Sequence, residues 1–456
     1  MDRFEVRVTV RENPAERVVM LSPLLVERLG LPQDRPCTVR FGTRRVTGQL
    51  RGEPGLGDHQ VALSASLAEA LGLPAGTPLT VWREGTATLA CGPLIAYVTS
   101  RSVLRALRSG ADDPAIAQMA TAAREAGAVL LLAGPEDILW NRSAVRAERV
   151  EVPAGGPPRL AGGVYPLPRV ILYPTAVGAG PRPQELAPRA RALGCTLLSH
   201  RKIRKLETYH VLHRVPAVRS LLAYTERLTP DSLARAMRRF SDLYLKPDDL
   251  SRGRGVHRLT RRRAGGWLLT HRDAQGNVER LLPDADAVRA AVRPLLRGPR
   301  VYLLQEGLPL ATYLGNRFDL RVLVQKNGVG RWTVSGVVAR IAPLGSAITS
   351  PRSGGQVALP EQVLQHAFGG RATAVRDSVA EAALATARAI DTALGPVYEL
   401  GIDLGVLQDG TVRLIEVNGM PLKVSLQRLG DPGAEQRIQR FPVHYAAWLD
   451  IEGNRP

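Results

Sequence analysis

The sequence predicts a multidomain protein of mixed α+β and α/β class, with a duplicated β-barrel first, a small α/β domain second and a larger α+β domain last. Three observations predict this order. A 42-residue repeat occupies residues 1–90, apolar strand segments alternate with helical segments after Gly92, and a late hairpin carries regularly spaced polar side chains. A length of 456 residues with 45% hydrophobic residues suits roughly three domains.

The repeat predicts the barrel. Leu21–Ser22 recurs 42 residues later as Leu63–Ser64, and Leu29–Pro32 recurs as Leu71–Pro74. Each copy has the pattern of a strand, a short amphipathic helix, a Gly-Leu-Pro stop and another strand. Because one copy cannot bury its apolar side alone, two copies are expected to close one small barrel that resembles double-psi or swapped-hairpin barrels. This part shows no catalytic constellation, so an interaction module and a purely structural lid remain equal alternatives.

The second domain is predicted over residues 91–200. Apolar strand-like runs at Leu94–Ser100 and Val129–Ala133 alternate with helical patterns at Pro114–Ala126 and Pro183–Leu193. Alternation of this kind favours a small parallel α/β layer.

Charge is supplied almost entirely by arginine. Of 61 Lys and Arg residues only five are lysines, and the net charge is +19. Lys246 ends a strand-like run, and the loop at 251–255, with Gly253 and Gly255, follows it directly. Glycines let backbone N–H groups approach phosphate oxygens and a lysine neutralises their charge, so the segment is a candidate phosphate site. A basic loop without a ligand is an equal alternative from these residues alone.

The late hairpin is the third observation. Asp403 lies on one apolar run, while Glu416 and Asn418 lie on the next, and the turn signal Gln408–Gly410 separates the runs. Because strand side chains alternate faces, Glu416 and Asn418 point the same way, and pairing can add Asp403 to that face. Oxygen ligands of this kind suit Mg²⁺. The alternative is a solvated hairpin with an open polar face.

Together these segments resemble the ATP-grasp superfamily, and the YheC/YheD family of endospore coat-associated proteins within it. The resemblance covers roughly residues 91–456. The matching phrases are KLETYHVL (205–212), LYLKP (243–247), SRGRGVHRL (251–259), YLLQEGL (302–308), RFDLRVLVQKNGVG (317–330), GVVARIA (336–342), ELGIDLG (399–405) and LIEVNGMP (414–421).

The resemblance implies a pre-ATP-grasp domain at 91–200 and a two-lobed ATP-grasp domain at 201–456 that clamps ATP. It also implies three groups of site residues: nucleotide-binding, catalytic and metal-binding. The implied nucleotide-binding residues are Lys205, Lys246, Ser251, Gly253, Gly255, Gln305, Glu306 and Leu308. Arg321 and Arg340 are implied to be catalytic, at the transferring phosphoryl group, with Asp319 orienting Arg321 or a water, or forming a buried structural pair. Asp403, Glu416 and Asn418 are implied to hold Mg²⁺.

The implied function is that of an ATP-dependent carboxylate–amine ligase that acts through an acyl phosphate on a peptide or a cell-envelope or spore-related substrate. Two departures from the family pattern, in the loop at 349–355 and at Pro421–Leu422, favour the alternative of a catalytically weak or inactive coat or scaffold protein. A small-molecule kinase is a further alternative.

Composition limits the partners. The basic charge draws in ATP and acidic substrates, whereas the basic residues lack the aromatic interleaving of an RNA-binding module, so specific nucleic-acid binding is not expected. A protein partner of the barrel is an open expectation. No apolar run reaches the length of a membrane span, and Cys37, Cys91 and Cys195 have no metal or redox spacing. The expected location is cytoplasmic, with association to the spore coat implied by the family.

Overall fold

A computed structural model describes residues 2–12, 16–152, 158–174, 180–250, 253–273, 276–343, 349 and 354–453. The chain divides into two compact units. Unit 1 comprises Met1–His200, Lys326–Arg331 and Ile438–Pro456, and unit 2 comprises Arg201–Gln325 and Trp332–Arg437. No helix among the described residues has both the length and the apolar character needed to cross a membrane.

The first part of unit 1 is a closed seven-stranded barrel in the order β1-β5-β2-β4-β3-β7-β6. Its elements are β1 (Arg3–Arg11), β2 (Val18–Leu21), α1 (Pro23–Leu29), β3 (Pro36–Phe41), β4 (Arg44–Gly52), β5 (Gln60–Ser64), α2 (Ala65–Leu71), β6 (Pro78–Glu84) and β7 (Thr88–Gly92).

The strand pairings of the barrel follow the sequence repeat. Arg7 on β1 pairs with Gln60 on β5, and Val18 on β2 pairs with Gln49 on β4. Gln49 lies 42 residues after Arg7, and Gln60 lies 42 residues after Val18, so the two pairings are equivalent under the repeat. Both helices end at a glycine in the left-handed conformation, Gly30 and Gly72. The repeated motif therefore marks repeated local geometry.

The second part of unit 1 is a mixed sheet in the order β10-β11-β9-β8-β13-β14, with β12 paired to β11. Its central strands β9, β8, β13 and β14 are parallel, as the sequence predicts. The elements are β8 (Leu94–Val98), α3 (Arg101–Arg108), α4 (Pro114–Glu125), β9 (Val129–Ala133), β10 (Ile138–Leu139), β11 (Ala144–Glu151), β12 (Arg159–Pro166), β13 (Val170–Tyr173), α5 (Pro183–Ala192) and β14 (Thr196–Ser199).

One hydrophobic cluster runs through both parts of unit 1 and contains, for example, Leu63 of the barrel and Leu131 of the sheet. A buried ion-pair network accompanies it. Arg40 Nη1 lies 2.9 Å from Asp450 Oδ1, and Arg169 Nη1 lies 3.0 Å from Glu84 Oε1. Because these pairs join the barrel, the sheet and the late segment of the chain, unit 1 is one packed body rather than a freely hinged barrel.

Unit 2 contains two six-stranded sheets, β15-β20-β16-β17-β18-β19 and β24-β23-β22-β25-β26 with β21 paired to β22. The elements in chain order are α6 (Lys205–His213), α7 (Pro216–Arg219), β15 (Thr225–Arg227), α8 (Pro230–Arg239), β16 (Asp242–Pro247), β17 (His257–Arg261), β18 (Trp267–Arg272), β19 (Asn277–Leu282), α9 (Ala285–Arg297), β20 (Tyr302–Glu306), β21 (Thr312–Tyr313), β22 (Asn316–Lys326), β23 (Trp332–Ile341), β24 (Gln356–Ala358), α10 (Pro360–Phe368), α11 (Ala372–Leu394), β25 (Glu399–Val406), β26 (Val412–Asn418) and α12 (Val424–Leu429). The last helix, α13, spans Pro432–Glu452.

Each sheet of unit 2 has its own core. Leu243 and Leu304 belong to the cluster of the first sheet, and Leu320 and Ile402 belong to that of the second. Two separate cores within one unit agree with the predicted two-lobed α+β architecture.

Candidate functional site

A cavity of about 700 Å³ lies within unit 2 and gathers most of the residues that the sequence singled out. Its lining includes Lys205, Lys246, Gly253, Gln305, Glu306, Leu308, Arg321, Arg340, Asp403, Glu416 and Asn418. Ligand pockets commonly have volumes of 300–1,000 Å³, so the cavity has the size of a small-molecule site.

The hairpin of β25 and β26 positions the candidate metal ligands. Asp403 lies directly opposite Glu416, and Gly401 lies opposite Asn418, with a register irregularity just after Asp403. The turn forms as predicted, since Gly410 has a φ of +93° and its N–H donates to the Leu407 carbonyl at 2.9 Å. Pairing therefore places Asp403, Glu416 and Asn418 in one cavity.

Asp403 is held by two arginines. Arg321 Nη2 donates to Asp403 Oδ2 at 2.8 Å while its Nε contacts Oδ1, and Arg340 Nη2 lies 3.0 Å from the same Oδ2. Burial raises the pKa of this carboxyl, but the two guanidinium groups outweigh burial and hold the pKa below its ordinary value. Asp403 is therefore ionised and fixed in direction.

Arg340 also forms a bidentate pair with Asp319. Its Nε and Nη2 donate to the two carboxylate oxygens of Asp319 at 2.7 Å each, and Thr349 Oγ1 donates to Asp319 Oδ2 at 2.6 Å. Of the two alternatives for Asp319, the structure favours the buried pair, with Arg340 and not Arg321 as its partner. Burial lowers the pKa of Arg340, but Asp319 and Asp403 outweigh it and raise the pKa, which keeps Arg340 charged.

The two lysines point into the same cavity. Lys205, the first residue of α6, places Nζ 3.2 Å from Glu416 Oε1 and donates to the Leu250 carbonyl at 2.5 Å. Lys246 Nζ donates to Gln305 Oε1 at 2.6 Å. Burial, opposed by the charge of Glu416 and reinforced by that of Lys205, lowers the pKa of Lys246 to about 8. An approaching polyanion would favour the charged form.

The glycine loop is described in part. Gly253 and Gly255 both have positive φ, +70° and +69°, which favours glycine at these positions. Gly253 lines the cavity, whereas a Cβ at Gly255 would lie 3.0 Å from Pro247 and 3.2 Å from the Tyr302 hydroxyl. Ser251 lies outside the described residues.

Two side chains of strand β20, Gln305 and Glu306, form hydrogen bonds within the same lobe. Gln305 accepts from Lys246 and its Nε2 donates to Thr225 Oγ1 at 3.1 Å. Glu306 lines the cavity, and its Oε1 accepts the Tyr224 N–H at 3.1 Å. Beyond the strand, Leu308 lines the cavity, with Leu310 and Ile415 beside it.

Sequence reasoning missed several residues of the cavity. Tyr244 lines the cavity two residues before Lys246, and strand alternation was a signal that could have found it. Asp248 is buried and accepts the Leu206 N–H at 2.9 Å, which fixes the start of α6 near Lys205. Met420 and Leu422, which follow the hairpin of β25 and β26, also line the cavity; Leu422 was noted only as a departure from the family pattern, and Met420 was not singled out because apolar residues are usually assigned to a core.

The described part of the chain contains no group of three or more His, Cys, Asp or Glu side chains arranged to share a metal ion. A magnesium site here would therefore use the Asn418 amide oxygen beside the carboxylates of Asp403 and Glu416. All three are hard oxygen donors on one hairpin, which fits Mg²⁺.

The cavity, the two lobes and the lysine and glycine phrases define an ATP-grasp protein. The family described as YheC/D-like ATP-grasp matches residues 194–449, and the chain belongs to that family. The resemblance found in the sequence is thereby confirmed.

Individual proteins are more distant. The chain is 24% identical to the endospore coat-associated protein YheD of Bacillus subtilis (strain 168) over 384 residues, which cover 79% of this chain and 80% of YheD. It is 23% identical to YheC of the same organism over 151 residues, 33% of this chain and 41% of YheC. Among solved structures, the D-alanine–D-alanine ligase from Coxiella burnetii is 12% identical with a TM-score of 0.40, over 79% of this chain and 96% of the ligase.

Proposed function

We propose that this protein is an ATP-dependent ligase that joins a carboxylate to an amine through an acyl phosphate. The observation that carries the proposal is the convergence of four cationic side chains with the candidate metal ligands in one cavity of unit 2. The cations are Lys205, Lys246, Arg321 and Arg340, and the ligands are Asp403, Glu416 and Asn418. Phosphoryl transfer depends mainly on positioning and charge neutralisation, which is what this set of residues supplies.

ATP and Mg²⁺ are the proposed ligands. Lys205 and Lys246 bind the α- and β-phosphates, and the loop that contains Gly253 and Gly255 covers the triphosphate. Bound Mg²⁺ would neutralise charge on the transferring phosphoryl group. The apolar side chains of Leu308, Leu310 and Ile415 line the end of the cavity suited to the base.

The proposed reaction has two steps. A carboxylate oxygen of the first substrate attacks the γ-phosphorus and the bond to the leaving ADP oxygen breaks. The lone pair of an amine then attacks the acyl carbon, inorganic phosphate leaves, and the amine nitrogen loses a proton. Arg321 lies at the cavity wall beside Asp403, where its guanidinium can neutralise the phosphoryl oxygens, and Arg340 holds Asp403 and Asp319 in place behind it.

The remaining parts are proposed as accessories to this reaction. We propose a duplicated double-psi-like barrel over residues 1–90 that recognises a protein partner, a pre-ATP-grasp domain over 91–200, and an ATP-grasp domain over 201–456. The repeated strand registers support the duplication. The names of the YheD and YheC relatives, endospore coat-associated proteins, support the spore-related role and coat association that we propose. A peptide or envelope substrate and a cytoplasmic location are also proposed.

A nucleotide-binding scaffold without turnover is the second candidate. One observation favours it: both oxygens of Asp403 are already paired with arginines, so metal binding must compete with Arg321 and Arg340.

ADP release from the purified protein, measured against amino acids and peptides with inorganic phosphate measured in parallel, tests the proposal. ADP and phosphate with a ligated product support the ligase. A phosphorylated acceptor would instead indicate a kinase, and ATP binding without ADP release would indicate the scaffold.

A further inference from the structure

The segment that follows the hairpin of β25 and β26 exposes two large apolar side chains. Met420 and Leu422 are 46% and 45% exposed, whereas Pro421 between them is buried. Both exposed residues line the cavity that holds Glu416 and Asn418. Exposed apolar groups inside a polar ligand cavity need an explanation, because leaving them in water is unfavourable.

Three contacts fix this segment in place. A Cβ added to Gly401 would lie 2.9 Å from Pro421 Cβ, so Pro421 packs closely against Gly401. Arg201 N–H donates to the Gly419 carbonyl at 3.2 Å, and Lys423 Nζ lies 3.0 Å from Glu399 Oε2. The exposure of Met420 and Leu422 is therefore imposed by anchors on both sides.

Strand geometry separates this segment from the end of the cavity suited to the base. Leu310 packs near Gly405 and Ile415, at the first cavity-lining residue of β26. Met420 comes after the last residue of β26, Asn418. Met420 is five positions after Ile415, at most about 16 Å along the chain at ~3.3 Å per residue. The carboxylate of Glu416 and the amide of Asn418 lie between these apolar ends.

We propose that Met420 and Leu422, with Ile203 and Val424, which line the same cavity, form an acceptor subsite that selects an amine substrate with an apolar side chain, either a free amino acid or the end of a peptide. This inference rests on the proposed ligase function and adds the substrate class.

The charge distribution assigns this end to the amine substrate rather than to the carboxylate substrate. The carboxylate must meet the γ-phosphate among the cations, where Arg321 and Lys205 lie. The four residues of the proposed subsite carry no charge, so the group that they bind is apolar.

The test compares Met420→Gln and Leu422→Gln with Leu281→Gln. Leu281 is 61% exposed on β19 and does not line the cavity, which makes it a matched control for replacing an exposed apolar residue. Acceptors are leucine, methionine, phenylalanine, glutamate and lysine, and tripeptides that begin with each of them. The measured quantities are KM for the acceptor, kcat, and Kd for Mg-ATP.

We expect the parent to prefer apolar acceptors, and each cavity variant to raise their KM by about tenfold or more while kcat and Mg-ATP affinity stay near those of the parent. The control should match the parent. Equal use of glutamate and leucine by the parent, or unchanged KM in both cavity variants, would overturn the proposal. The free amino acid and tripeptide arms distinguish the two sources of the apolar group.

A parent without turnover would count against the ligase and leave the subsite testable. In that case, calorimetric binding of the same acceptors is measured in the presence of a non-hydrolysable ATP analogue and Mg²⁺. Apolar-selective binding that the cavity variants lose supports the subsite even if catalysis is absent. Binding without apolar preference, or no binding at all, contradicts it.

Discussion

Glu416 is the residue on which the metal proposal depends most directly. Asp403 is covered by two arginines, whereas Glu416 has Lys205 at 3.2 Å and lies between the two apolar ends of the cavity. Replacing Glu416 with glutamine removes the charge with little change in shape. We expect Glu416→Gln to weaken Mg-ATP binding at least tenfold, about 1.4 kcal/mol, or to abolish ADP production.

Titration calorimetry with Mg-ATP, together with ADP release, measures this effect. Glu381→Gln, an exposed position on α11 outside the cavity, is the control and should behave as the parent does. Unchanged ADP production in Glu416→Gln would remove this residue from the metal set.

Lys246 provides a pH-dependent prediction. Since burial lowers its pKa to about 8, the side chain is mostly protonated at pH 7 and mostly neutral at pH 9. ATP favours the ammonium form, so binding at pH 9 should take up close to one proton, and the affinity for ATP should fall as pH rises above about 8. Calorimetry in buffers of different ionisation enthalpy measures the proton uptake.

The matched variants are Lys246→Arg and Lys202→Arg. Arginine stays charged over this range and is wider than the ammonium group, so Lys246→Arg should lose the proton uptake and bind ATP more weakly than the parent at pH 7. Lys202 lines the same cavity, and its variant should keep the proton uptake. Parent-like ATP affinity in Lys246→Arg would show that the site does not require a compact charge.

At the scale of elements, strands β17 and β18 bring two histidines together. The rings of His257 and His271 are 4.9 Å apart, with Tyr302 on the neighbouring side. Burial and the nearby His271 lower the pKa of His257 to about 4. Unfolding therefore takes up a proton between about pH 6.5 and pH 4, and the free energy of unfolding should fall as pH decreases through this window.

Urea unfolding at several pH values checks the expectation. His257→Gln should show a weaker loss of stability between pH 6.5 and 4 than the parent, whereas His210→Gln, at an exposed position on α6, should follow the parent. Some loss will persist in His257→Gln because burial also lowers the pKa of His444. Identical pH profiles for His257→Gln and the parent would contradict the assignment.

Local sequence patterns predicted the secondary-structure elements better than they predicted which side chains form ion pairs. The helix predicted over Pro114–Ala126 is found at Pro114–Glu125, and the turn at Gln408–Gly410 closes the expected hairpin, because both depend on signals within a few residues. The partner of Asp403 depends on the register of β22 and β25, which places Arg321 directly opposite it. Such registers are set by packing between distant segments, so the sequence alone left the ion pairs open.

At the scale of the whole molecule, the barrel shares one hydrophobic core with the sheet of unit 1, and this core determines the effect of removing the barrel. Deleting residues 1–91 would leave the buried Asp450 carboxylate without Arg40 and expose one side of the hydrophobic cluster. We expect the fragment from Gly92 onward to lose stability in unit 1 and to keep Mg-ATP affinity within about threefold of the parent, since every residue lining the nucleotide cavity belongs to unit 2.

Thermal unfolding and nucleotide titration of the fragment check both parts. The variant Arg40→Met in the full chain serves as a milder form of the same change, because removing one partner of a buried pair costs roughly 3–5 kcal/mol. A folded fragment with no detectable ATP binding would show that the barrel contributes to the nucleotide site.

The division of the chain into two units also affects the order in which the units can fold during synthesis. Unit 1 needs residues on both sides of unit 2, and Asp450 follows His200 by roughly 250 residues, which a ribosome adds in about 12–50 s at ~5–20 residues per second. During that interval Arg40, Arg169 and their shared partner Glu84 have been synthesised, whereas Asp450, the second carboxylate that both arginines contact, has not. Unit 2 can therefore begin to fold before unit 1 is complete, and the last lining residue of its cavity, Ser425, is synthesised before Asp450 completes the ion-pair network of unit 1.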